Sequence, residues 1–163
     1  MLEFLQQRQR YLLQEQYEFQ TDLILALEKG SLVPASQLEL GEQLMRESKN
    51  EALKNALDAL QRPLNIWAKN SDANLNAVNS ENFRDDAEKE LWDAAQQLTN
   101  DAQGVSNFVN TAIFLESKIE RFFENVMVMD EDFSVRSNRL NICKHIHDWS
   151  LHYLDLRELH IQK

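Results

Sequence analysis

The stretch Phe133-Ser-Val-Arg-Ser-Asn-Arg-Leu-Asn-Ile-Cys-Lys-His-Ile-His-Asp-Trp-Ser-Leu-His-Tyr-Leu-Asp-Leu156 contains neither glycine nor proline and repeats its apolar residues at helical spacing. Val135, Ile142, Ile146, Trp149 and Tyr153 fall on one stripe, and Leu140, Leu151 and Leu154 form a second line on another side. A helix that is apolar on two sides packs between neighbours rather than on a surface. The spacing therefore predicts a long buried helix over 133–156. On its wheel Arg136 lies away from the main stripe, whereas Arg139 borders it and should pair with an inner carboxylate or a carbonyl of the preceding segment. Upstream, the short link Asn125–Asp132 joins this helix to a strongly apolar one carrying Phe108, Ala112, Leu115, Ile119, Phe122 and Phe123. A link of that length favours antiparallel neighbours. Phe108, Leu115, Ile119, Phe122, Val135, Ile142, Ile146 and Trp149 are thus expected to be buried together.

The rest of the chain agrees. Leu2, Leu5, Leu12 and Leu13 recur at helical spacing, with Arg8 and Arg10 on the polar side. A second helix carries Leu23, Ile24 and Leu27 and stops at Gly30. Ser36 with Glu39 and Ser48 with Glu51 match the capping-box pattern and predict helices over about 37–47 and 49–68. On the latter, Leu53, Leu57, Leu60, Leu64 and Trp67 keep the stripe, and Pro63 predicts a kink or break. Residues 70–82 hold five asparagines and two serines and read as a loop. A helix over about 83–99 follows, with Ala87, Leu91, Ala94 and Leu98, and then a turn and cap at Gly104 and Ser106. In all 163 residues there are only three glycines and two prolines, too few turn residues for a sheet-based fold. The fold class is all-α: a helical bundle forming one domain over 1–163, with potential sub-lobes 1–69 and 83–163 joined by loop 70–82.

Composition also bounds function. Cys143 is the only cysteine, which forbids an internal disulfide and suits a reducing, cytoplasmic setting. No apolar run approaches the roughly 20 residues that span a bilayer, and the N-terminus lacks a signal-peptide pattern. His145 and His147 point to nearly opposite sides of their helix. Cys143 and His147 could share a face, but two ligands do not make a zinc site, so no metal is expected. Asp130-Glu-Asp132 lacks calcium-loop spacing and reads as the acidic start of a helix. Neither a phosphate-cradling glycine loop nor a nucleophile elbow is present, so no catalytic residue is expected. The net charge of −10 speaks for a protein-docking module, and nucleic-acid contact would need a local cationic patch. Arg136, Asn138 and Arg139 supply two cations and an amide within one turn, a set suited to phosphates and base edges. Met127 and Met129 are equally compatible with core filling.

Phe122-Phe-Glu-Asn-Val-Met-Val-Met129, followed by Asp130-Glu-Asp132 and Arg136-Ser-Asn-Arg-Leu140, closely resembles the ending of the β subunit of bacterial glycyl-tRNA synthetase. That ending runs FFDNVMVM, an acidic stretch, then an arginine and NRL. Phe4 to Leu13 is similar to the family's FLxERxRxxL, and Arg62, Asn65, Ile66 and Lys69 match its KRVxNILxK, so the resemblance spans nearly the whole chain. It implies a helical anticodon-binding domain of the DALR-like type found in class I aminoacyl-tRNA synthetases. Asp132-Phe-Ser-Val-Arg136 keeps the acid and arginine of the DALR-like signature but not its middle. It further implies glycine tRNA and a separate α subunit, in an α2β2 assembly, as partners. Adenylation with ATP would lie outside this region, which would need no cofactor of its own. The implied tRNA contacts are Arg62, Asn65, Lys69, Asn125, Met127, Arg136 and Arg139. Pro63 replaces an aliphatic residue of the family pattern, and Asp155–Lys163 is more charged than its usual short ending. Met1 leading straight into a mid-subunit helix implies an excised piece of a longer subunit. The rival reading is a helical scaffold that docks the α subunit or the rest of β without touching tRNA.

Overall fold

The structure, a computed structural model, describes residues 2–98 and 105–161. Among the described residues it is all-helical, without strands: α1 Leu2–Glu15, α2 Thr21–Glu28, α3 Pro34–Arg46, α4 Glu51–Lys69, α5 Asp86–Ala95, α6 Ser106–Asn125 and α7 Phe133–Tyr153. Short 3-10 turns occupy Ser80–Asn82 and Leu156–Glu158. The expected turn at Gly104 lies outside the described residues, as do the side chains of Leu2, Leu5 and Ser106.

α4 is the central element. It buries Leu53, Leu57, Leu60, Leu64 and Trp67 as the stripe predicted, and it packs against both α6 and α7. α5 also packs against both. The eight core residues expected around α6 and α7 are all buried. The two helices are nevertheless not paired backbone to backbone along their length. They meet through aromatic side chains: the Phe108 ring stacks on Trp149 with centroids 5.3 Å apart, and lies 5.1 Å from Tyr153. The link leaves α6 extended at Val126 and bends at 128–129 and 131–132, and α4 and α5 each pack against both helices.

Pro63 does not break α4, which runs from Glu51 to Lys69 as one helix. Proline inside a helix costs about 3 kcal/mol, and here that cost is offset by burial of Pro63 and its neighbours in the core. Neither sequence-predicted serine cap forms. α3 starts at Pro34, pre-set for a first helical turn, behind Val33. The N-cap of α4 is Asn50, whose side chain accepts from the amides of Ala52 and Leu53. The capping box that does form is Asp85 with Glu88, which delays the start of α5 to Asp86. α5 then ends at Ala95 rather than near 99, in a turn through Gln96 and Gln97.

α7 ends at Tyr153, before the predicted 156, because the chain there is recruited by α2 and α4. The Asp155 amide donates to the Ala26 carbonyl at 2.8 Å, and Gln61 Nε2 donates to the Leu156 and Leu159 carbonyls at 2.7 and 2.9 Å. Gly30 stands just past α2 as expected, but its reason is space: a Cβ there would lie 2.3 Å from the Tyr153 carbonyl oxygen. Gly41 is constrained likewise, since a Cβ would meet the Phe19 ring at 2.1 Å. Phe19 reaches that seat from Glu18, a non-glycine residue at φ 57°.

Two stability predictions follow from these contacts. Gly41→Ala should lower stability by about 1–3 kcal/mol, as overpacking of a filled core does, measured by urea melts. Asp155 is buried; burial alone would raise its pKa, but hydrogen bonds and charge from Arg157, with Lys29, hold the carboxyl below its usual value. A depressed folded pKa stabilises fully above the unfolded value near 3.9, and the gain disappears as pH falls through the lower folded one. Asp155→Asn should therefore cost about 1–3 kcal/mol at pH 7, with the gap to wild type closing below about pH 4.

Candidate nucleic-acid interface

α6 ends at Asn125, whose side-chain amide donates to the Arg121 carbonyl at 3.0 Å and caps the last turn. The chain then becomes extended at Val126 (φ −123°, ψ 126°). In an extended segment successive side chains point to opposite sides. Val126 and Val128 accordingly sink into the core, while Met127 and Met129 are 77% and 51% exposed. Asp132 closes the segment, its carboxylate accepting from the Ser134 and Val135 amides at 2.8 and 3.4 Å as the N-cap of α7. Phe133, the first residue of α7, is left 48% exposed. Three large apolar side chains thus face solvent within seven residues.

Two arginines hold this display in place. Arg139 is 5% exposed, and its Nε donates to the carboxylate of Glu88, which is fully buried. Its Nη1 donates to the Met127 carbonyl and to the Asp130 carboxylate, both at 2.8 Å. Arg139 therefore meets the inner carboxylate and the segment carbonyl expected of it, and its guanidinium faces inward rather than toward a ligand. Arg136 is half-buried. It donates to the Asp130 and Glu131 carbonyls and lies 5.6 Å from the Phe133 ring centroid. Its guanidinium remains at the surface but is partly engaged by the backbone. The Asp132 amide, assisted by Arg139 and Arg84, holds the Asp130 carboxyl below its usual pKa.

The remaining predicted contacts separate into two groups. Arg62, Asn65 and Lys69 are all exposed on α4. The Arg62 guanidinium sits 4.5 Å above the Phe123 ring, which ties this face to the last turn of α6 and so to Asn125. Met127, Arg136 and Arg139 are joined around the 126–132 segment. No contact links Arg136 or Arg139 to the α4 trio among the described interactions. Asn138 is turned inward: its side chain accepts from the Asn79 amide and donates to the Asn79 carbonyl. With Ser137 and Asn141 on Asn76, it fastens the 70–82 loop to α7 and is spent there.

Sequence reasoning missed Glu88, Arg84 and Phe133. The Asp85-x-x-Glu88 spacing signals the first, and the alternation of valine with methionine over 126–129 signals the extended display. Arg84 is exposed at the head of α5 and reaches the Asp132 carboxylate at 3.4 Å. The arginines here are consequently matched by carboxylates, with one negative charge over: Arg84, Arg136 and Arg139 stand among Glu88, Asp130, Glu131 and Asp132. Among the described residues no group of three His, Cys, Asp or Glu side chains could hold a metal, and no helix is long and apolar enough to cross a membrane. Burial pushes the Cys143 thiol up to about 12, which keeps it from acting as a nucleophile.

No family model matches the chain. It is similar to proteins named glycine–tRNA ligase β subunit: 28% identical to that of Lactobacillus delbrueckii subsp. bulgaricus over 163 residues, covering 99% of this chain and 23% of the relative. Identity is 34% over 116 residues with the Streptococcus thermophilus protein, covering 70% of this chain and 16% of the relative. With a Streptococcus pneumoniae protein it is 35% over 113 residues, covering 69% and 16%. The chain spans less than a quarter of the length of these curated relatives. The resemblance carried by Phe122–Met129 and Arg136–Leu140 is borne out, and it extends over the whole chain.

The two arginines should respond differently to truncation. Arg139→Ala strands Glu88 in the core and should cost about 3–5 kcal/mol. Arg136→Ala removes surface hydrogen bonds to two carbonyls and should cost about 1 kcal/mol. Chemical denaturation of both variants measures the split.

Proposed function

We propose, from its homology to a segment of glycine–tRNA ligase β subunits, that this chain is the tRNA-binding helical region of such a subunit. It would serve glycyl-tRNA synthesis by holding the anticodon arm while ATP-dependent chemistry proceeds elsewhere in the ligase. The observation that carries the reading is the display of Met127, Met129 and Phe133, three solvent-facing apolar side chains on a backbone clamped by two arginines. Single-stranded RNA loops present unstacked bases, and proteins receive them on aromatic, apolar and guanidinium surfaces. Met127, Phe133 and the adjoining Arg136 and Arg84 supply such a surface. The cations Arg62 and Lys69, with Asn65 between them on the exposed side of α4, are suited to the phosphate backbone. In this reading Asn125 borders the base-facing tip, and Arg139 contributes by holding the Met127 carbonyl rather than by touching RNA.

A net charge of −10 means that such binding rests on few cations. The glycine–tRNA ligase α subunit and the remainder of β would then add affinity as linked modules do. The acidic residues beside the tip favour a second reading, in which this surface docks protein, the α subunit above all.

Titration of the chain with labelled glycine tRNA at several salt concentrations tests the proposal. Binding should be weak and should weaken steeply with salt. Arg62→Ala and Lys69→Ala should each reduce the logarithmic salt slope by about one. Met127→Ala should weaken binding without changing that slope. Equal binding of glycine tRNA and of an unstructured polyanion, or none at low salt alongside capture of the α subunit, would overturn the tRNA reading in favour of docking.

A further inference from the structure

Glu88 performs more tasks than a capping residue requires. One oxygen, Oε2, accepts from the Arg84 and Asp85 amides and so fixes the start of α5. The other, Oε1, takes Arg139 Nε. Arg139 in turn holds the Met127 carbonyl and the Asp130 carboxylate. A single fully buried carboxylate therefore connects the two stretches that carry the outward-facing groups: Arg84 on one, Met127 and Met129 on the other. The second stretch leaves α6 extended at Val126, bends at 128–129, and alternates buried valines with exposed methionines. A shift of one residue in such a segment would turn both methionines inward and both valines outward. Few backbone bonds fix its register; within it the Asp130 amide donates to the Val128 carbonyl and the Asp132 amide to the Asp130 carboxylate.

We propose that Glu88 is a positioning residue for RNA binding: acting through Arg139, it sets the register of Val126–Asp130 and aligns Arg84 with Met127 and Met129 as one surface for an unstacked base. The inference rests on the tRNA reading above and adds to it a residue that never meets the RNA. It separates two roles that stability alone would confuse. Buried ion pairs can often be replaced by apolar residues without loss of stability, but an apolar pair has no donor for the Met127 carbonyl. Stability and RNA affinity should therefore come apart.

The test uses the whole chain as Glu88→Gln and as the double variant Glu88→Met/Arg139→Met, the latter serving should the single variant fail to fold. Melting midpoint, hydrogen exchange of residues 126–131 and glycine tRNA affinity are read on each. The double variant should melt below wild type by no more than the loss of the α5 cap costs, yet bind at least about tenfold more weakly, since small misplacements of contact groups are costly. Its salt slope should be unchanged, because no phosphate contact is lost. In both variants exchange over 126–131 should accelerate while α6 and α7 stay protected. Wild-type affinity in the double variant, or unchanged exchange over 126–131, would overturn the proposal. If the unaltered chain binds no tRNA, the RNA reading falls, and the exchange result still decides whether Glu88 fixes the segment.

Discussion

The buried contact between Glu88 and Arg139 joins three parts of the chain that are distant in sequence: the head of α5, the middle of the first half of α7, and the extended link after α6. Two charges have been removed from water there, a process that costs several kcal/mol per ion unless the remaining hydrogen-bonding capacity is met. It is met. Glu88 accepts from two backbone amides as well as from Arg139, and Arg139 reaches a carbonyl and a second carboxylate. Among the described residues no buried side-chain nitrogen or oxygen lacks a partner. Such a network adds little net stability, but it tolerates few alternative arrangements, which is the property a fixed surface needs.

That constraint explains how exposed methionines can sit beside a filled core. The valines of the link are anchored, its carbonyls are held by Arg136 and Arg139, and the methionines have nowhere to turn but outward. The 70–82 loop is fastened to the same helix by Ser137, Asn138 and Asn141, so α7 organises this loop as well as the 126–132 link. This accounts for the weakly amphipathic pattern of α7. Besides the sides packed on α4 and α5, the face that carries Ser137, Asn138 and Asn141 is covered by the backbone of the 70–82 loop, and its polar residues there are structural.

Helical periodicity made most of the fold legible, because α4, α6 and α7 each carry long apolar stripes whose residues are buried where the spacing put them. What failed was local. Ser36 and Ser48 matched a capping pattern, but Pro34 and Asn50 are stronger helix starters at neighbouring positions and won. Pro63 was overridden by packing, an effect invisible to a propensity argument. The direct pairing of α6 with α7 assumed that a short link makes its helices immediate neighbours, whereas α4 and α5 pack against both of them. At the interface, the inward pairing of Arg139 was readable from its place beside the stripe. The engagement of Asn138 by Asn79 was not, since nothing in sequence announces a contact across some sixty positions.

Charge gives the molecule its peculiar character as a candidate RNA binder. The arginines near the tip are largely matched by carboxylates, so attraction to a polyanion must come from α4 and from any partner, while the tip offers shape and apolar surface. The methionines themselves provide the most direct test. Of the four in the chain, Met127 and Met129 lie on the tip, whereas Met45 lies on α3. With methyl-labelled methionine, addition of glycine tRNA should shift or broaden the Met127 and Met129 resonances and leave Met45 unmoved. Perturbation of Met45 alone, or unchanged tip resonances under conditions where the tRNA is bound, would contradict the account.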